Sequence, residues 1–132
     1  MITNYKCLKT VFLLSAVLFI LSSCDPASSI RYIIVNKTTK PLNVEYQFPG
    51  GLLPHTDSIA ANSSMTVNEE KRVDDVDEIN KRLGSISFDI LILKQSDKLS
   101  HVNLKNKKYW IFKKDNERIA TYTLIVDKSF FN

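Results

Sequence analysis

The stretch LNVEYQF, residues 42–48, decides the fold class. Leu42, Val44, Tyr46 and Phe48 alternate with Asn43, Glu45 and Gln47, so an extended chain has one apolar face and one wet face. A strand with one solvated face belongs to an antiparallel sheet. Pro49-Gly50-Gly51 ends it. Upstream, IRYIIV (30–35) reads as a strand rich in β-branched residues, and NKTTKP (36–41) as the turn between the two.

Residues 52–66 read as a loop, with SIA (58–60) and MTV (65–67) as short edge strands on either side of the turn ANSS (61–64). Val73, Val76, Ile79 and Leu83 then follow helical spacing, with Gly84 as a stop. Asp74, Asp75, Asp77 and Glu78 precede Lys81 and Arg82, the order a helix dipole favours. The run ISFDILIL (86–93) reads as a central strand, YWIF (109–112) as another and residues 119–126 as the last. Asp115-Asn116 is the expected hairpin tip between the final two. Six or seven short strands and one short helix predict a mainly β domain, a small antiparallel β-sandwich of immunoglobulin-like type. The Cys-Trp-Cys signature of true immunoglobulin domains is absent from the sequence.

The N-terminus has a different character. Residues 1–10 carry Lys6 and Lys9 and no acid, and residues 11–21, VFLLSAVLFIL, are apolar except for Ser15. This is the order of a secretory signal. Eleven residues are too few to cross a hydrocarbon layer that needs about 20. Leu21-Ser22-Ser23-Cys24 follows, an aliphatic residue, two small ones and a cysteine. It resembles the lipobox of bacterial lipoproteins. That resemblance implies a diacylglyceryl group on the Cys24 sulfur, cleavage between Ser23 and Cys24, and a membrane anchor without a spanning helix. Several acyl chains on one residue hold far better than one, at about 0.8 kcal/mol per buried methylene. The expected organisation is a signal peptide over residues 1–23, a lipidated tether over 24–29 and the β-sandwich over 30–132. Asp25 resembles the inner-membrane retention residue of enteric bacteria, but other phyla sort by other rules, and the outer membrane is the expected location.

Removing residues 1–23 takes Lys6 and Lys9, so the net charge falls from +4 to +2, a balance that gives a nucleic-acid partner no support, and none is expected. It also takes Cys7, and with Cys24 acylated the domain has no cysteine for a disulfide. The 109 residues that remain suffice for one modest core.

Together with the lipobox, the opening IRYIIVNKTTKPLNVEY, the turn SIAANSS and the ending W…ERIATYTLIVDKSFF resemble small lipoproteins of the Bacteroidota. The resemblance implies an envelope location and a compact β-sandwich. It carries over no catalytic residue. Asp57-Ser58-Ile59 resembles the O-glycosylation site of exported proteins of that phylum, which makes Ser58, in an expected loop, a candidate acceptor.

Few residues suggest chemistry. His55 and His101 lack metal-ligand spacing, and the motifs of serine hydrolases, zinc proteases, phosphate loops and EF-hands are absent. The acids of 74–78 lack the ligand order of a calcium loop and read as a solvated helix face. Asp89 has no partner in the sequence. Residues 94–118 hold eight cations against three carboxylates, close to Tyr109, Trp110 and Phe112. They suit an acidic glycan or lipid head groups, or else line loops while the aromatics fill the core. No cofactor or metal is expected. The leading expectation is a non-enzymatic, membrane-anchored envelope module that binds an envelope protein or glycan. The alternatives are an envelope hydrolase, which would join His55 or His101 to an acid in a pocket, and an inhibitor or immunity-type lipoprotein.

Overall fold

A computed structural model describes residues 27–132. The expected signal peptide and the expected cleavage and lipidation site at Ser23 and Cys24 lie outside the described residues. β1 (Ser28–Asn36) and β2 (Leu42–Gln47) form where the alternation predicts them, and β2 buries Leu42, Val44 and Tyr46. They are followed by β3 (His55–Ile59), β4 (Ser64–Arg72), the helix α1 (Val76–Arg82), β5 (Ile90–Gln95), the two-residue β6 (Lys98–Leu99), β7 (Trp110–Asn116) and β8 (Ile119–Val126). The fold is mainly β, in two four-stranded sheets ordered β4-β1-β8-β7 and β3-β2-β5-β6. Every pairing is antiparallel except that of β1 with β8. Inward side chains of both sheets, among them Ile30, Tyr32, Val44, Leu93 and Leu124, enter one hydrophobic core.

Several expectations are corrected. Ser28 and Ser29, expected in the tether, begin β1. The Ser29 amide donates to the Arg118 carbonyl at 2.6 Å, and its hydroxyl donates to Glu69 at 2.5 Å. The 86–93 run is not one strand. Ile86 and Phe88 are buried, and so are Leu91 and Leu93, an odd separation that no straight strand can turn to one face. Residues 86–89 enter the core as a loop, fastened by Ile86 N–H to the Lys105 carbonyl and Asp89 N–H to that of Gln47. Pleated pairing starts at Ile90. Asp89 itself is exposed. The 52–66 loop contains all of β3, and β4 runs five residues past Val67. Both are edge strands, β4 with a register shift near Val67 and a charged end that conceals it from a hydrophobic pattern.

The hairpin tip is Glu117-Arg118, with Asn116 paired to Ile119 and accepting from the Arg118 amide at 2.8 Å. Neither tip residue has positive φ, and the ladder absorbs the mismatch as an irregularity at Asp115. α1 starts later than the spacing suggests. Asp75 caps it by accepting from Asp77 N–H, which leaves Val73 outside and exposed.

Tyr32 is wholly buried, edge-on to Phe88 and Trp110 and stacked on Tyr122, and its hydroxyl has no hydrogen-bond partner among the described residues. Burial, with the nearby Glu70 carboxylate, pushes its ionisation upward. A buried hydroxyl without a partner costs about 1–3 kcal/mol. Tyr32→Phe is therefore expected to raise stability by about 1 kcal/mol, as a shift of the urea midpoint at unchanged slope. A loss of stability would show that the hydroxyl is satisfied.

Candidate functional site

Strand direction gives the domain two poles. β1 and β8 run together from Ser28 and Ile119 toward Asn36 and Val126. The β1–β2 turn, the β3–β4 crossing, the β5–β6 turn and the segment after β8 therefore gather at the pole opposite the chain entry. A cleft of about 550 Å³ opens there, lined by the turn residues 37–40, by Gln95, Ser96 and Lys98, and by Asp127 to Ser129 with Phe131. That volume lies within the usual range of small-ligand sites.

A buried asparagine fixes the turn that lines it. The Asn36 side-chain amide donates to the carbonyls of Lys40 (2.8 Å), Ile59 (3.1 Å) and Ala60 (3.1 Å). Its oxygen accepts from the Thr38 amide (3.0 Å) and hydroxyl (2.7 Å). One side chain thus fixes the β1–β2 turn and the point where the chain crosses from β3 in one sheet to β4 in the other. Asn62, in that crossing, takes the left-handed conformation that asparagine tolerates best after glycine. Gln95 of β5 donates to the Thr38 hydroxyl and joins the turn to the second sheet. Ser96, on the rim, is also left-handed, with φ 53°.

Lys37, Lys40, Lys98 and Lys128 stand exposed around the cleft, and none forms an ion pair with the described residues. Asp127 is the one carboxylate side chain in the lining. It accepts from the Ser129 hydroxyl and amide, which together hold its carboxyl below the usual range, with Lys128 adding to the effect. Asp127 stays ionised and occupied with its own turn. Four ammonium groups and the exposed Thr39 hydroxyl are left for a ligand, while the hydroxyls of Thr38 and Ser129 are already donated to Asn36 and Asp127.

A second cleft of about 660 Å³ lies at the entry pole, between Phe48, Pro49 and the end of β4. Its charges cancel. Arg72 donates to Glu70 through Nε at 3.0 Å and Nη2 at 2.7 Å, and Arg82 pairs with Asp74 at 2.7 Å. A charged ligand would have to break these pairs, whereas the lysine cleft offers free cations.

The remaining sequence candidates are dispersed. His55 is exposed and stacks on Tyr46 at 5.4 Å. Tyr46 donates its hydroxyl to Asp57 at 2.8 Å, and burial with that bond pushes its ionisation up to about 12. His101 is exposed and donates its backbone N–H to the Phe130 carbonyl. Ser58 is exposed, but on strand β3 opposite Asn43 and not in a loop. The acids of 74–78 are bound up in helix and ion pairs: Asp75 caps α1, Asp77 pairs with Lys114, and Glu78 with Lys81 at 3.1 Å. Among the described residues no cluster of three or more His, Cys, Asp or Glu is placed to hold a metal.

The cations of 94–118 do not form one patch. Lys107 donates to the Asn80 carbonyl, Lys113 pairs with Asp115, Lys108 sits over the Tyr109 ring and Trp110 is buried. Of that run, Lys98 reaches the cleft. Its companions come from residues 37, 40 and 128, too far apart in sequence for spacing to unite them. No helix among the described residues is long and apolar enough to cross a membrane. Comparisons with family models, with curated proteins and with solved structures found no match.

Proposed function

We propose that this chain is a lipid-anchored module of the bacterial envelope that presents a lysine cleft away from its membrane and binds an anionic, hydroxyl-bearing ligand there, in the first place an acidic glycan. The observation that carries the reading is the run of β1. It begins four residues after Cys24 and ends at Asn36, immediately before the cleft-lining turn 37–40. At about 3.3 Å per residue its nine residues separate anchor and cleft by the better part of 30 Å. The anchor is the acylated Cys24, cleaved after Ser23, in a membrane for which the outer membrane is favoured. The domain acts by binding, not catalysis. The two sheets around one core are read as an immunoglobulin-like sandwich, with four strands in each sheet where that fold has four and three. A hexose on the exposed Ser58 hydroxyl belongs to the same proposal, and intact mass in hexose steps tests it.

Ammonium groups act on carboxylate or sulfate as compact point charges, and the Thr39 hydroxyl is free to bond to sugar. Titrating the domain with oligosaccharides of uronic acids and with their neutral counterparts tests this. Binding is expected for the acidic series, weakening as salt rises because the lysines are exposed. Lys37→Glu together with Lys128→Glu should cost about tenfold or more in affinity, the equivalent of about 1.4 kcal/mol. Equal affinity for neutral sugars, or no effect of the paired reversal, would refute the ligand class.

A further inference from the structure

We propose that the entry pole is itself a lipid-contact surface, and that Leu52 and Leu53 insert into the interface of the bilayer that holds Cys24. This rests on the anchoring just proposed. Four Cα steps separate Cys24 from Ser28 and span at most about 14 Å. The pole is therefore held against the head groups whatever the tether's conformation.

The loop between β2 and β3 lies at this pole, because β2 runs away from the cleft and β3 returns toward it. Its sequence from 48 to 54 is FPGGLLP. Leu52 is 96% exposed and Leu53 75%. Val73, at the end of β4, is 70% exposed. The second cleft brings Val73 and Arg72 together with Phe48 and Pro49 at the root of the loop. These are the three most exposed large apolar side chains of the described residues, and all three lie at the pole next to the anchor. One exposed leucine is ordinary. Two adjacent at a loop tip, with a valine just past the end of β4 exposed at the same pole, present apolar surface that contact with lipid would take out of water.

The chemistry points to the acyl boundary and not to charged head groups. Between Gln47 and Asp57 there is no Lys, Arg, Asp or Glu. Gly50, with φ +79°, makes the reversal that projects the leucines. Insertion at this tip should therefore depend on apolar contact and be indifferent to anionic lipid.

The test uses the full, lipidated chain reconstituted into phosphatidylcholine vesicles. Leu53→Cys, and separately Asp97→Cys in the β5–β6 turn at the far pole, are labelled with an environment-sensitive dye. The acylated Cys24 sulfur does not react. The dye at position 53 is expected to shift to the blue and to lose emission to nitroxide-bearing lipid, with no change on adding salt or phosphatidylglycerol. The dye at position 97 should stay aqueous. Vesicles that float with the protein while the dye at 53 remains in water overturn the insertion and leave the anchor standing. Protein without lipid by mass that fails to float overturns the anchor and this inference with it.

Discussion

Asn36→Leu is expected to lower the stability of the domain by about 3–4 kcal/mol and to abolish the lysine cleft. Leucine matches asparagine closely in shape but removes five hydrogen bonds. The carbonyls of Lys40, Ile59 and Ala60 lose a donor, and the Thr38 amide and hydroxyl lose an acceptor. Asn36 is fully buried, so water does not replace what is lost at its own position. A buried polar group left unpaired costs about 1–3 kcal/mol, and more than one is stranded here. Asn43→Leu, on the exposed face of β2, is the control, expected to stay within about 0.5 kcal/mol of the parent. Urea denaturation read by tryptophan emission measures both. A loss below about 1 kcal/mol for Asn36→Leu would mean that the turn and the sheet crossing hold without it.

Trp110→Ala should cost about 4 kcal/mol. The indole is buried, edge-on to Tyr32 at 6.2 Å and stacked with Phe88 at 6.1 Å. Its N–H donates to the Leu104 carbonyl at 2.7 Å, which holds the segment leading into β7. Alanine leaves both a cavity and an unpaired carbonyl. Trp110→Phe restores most of the ring but not the donor, and about 2 kcal/mol is expected for it. Because Trp110 is the one tryptophan of the chain, both variants are followed by circular dichroism. Equal losses for the two would assign the whole effect to the hydrogen bond and none to the cavity.

How much the sequence reveals depends on how each strand earns its place. β2 and β8 alternate cleanly because one face is wet and the other is core, and both are legible. The 86–93 run is apolar at six of its eight positions, so its pattern does not show that inward parity switches between Phe88 and Leu91. β4 fails for the opposite reason. Its second half, NEEKR, carries paired charges on an edge strand, where hydrogen bonds to β1 do the holding and hydrophobicity is silent. The Asp115-Asn116 tip lies two residues early because the register irregularity at Asp115 leaves no mark in composition.

The lysine cleft was the least legible part. Its four lysines come from three separate segments that only the two-sheet topology unites, and the residue that organises the first of them, Asn36, reads in sequence as an ordinary turn asparagine. The run of cations that does stand out, residues 94–118, is mostly spent on ion pairs, on a helix carbonyl and on loops. The NKTTKP signal was therefore correct as a turn and incomplete as a site. A polar residue at an inward parity position, as Asn36 is after Tyr32 and Ile34, is the signal that points to it.

The orientation proposed for the cleft and the leucine tip rests on an acylated sulfur at Cys24, four residues before β1. Mass spectrometry of the N-terminal peptide, taken from protein extracted out of native membranes, tests this most directly. The expected result is a peptide that begins at Cys24 and carries a diacylglyceryl group. A peptide still joined to residues 1–23, or one beginning at Cys24 with a free thiol, would contradict it.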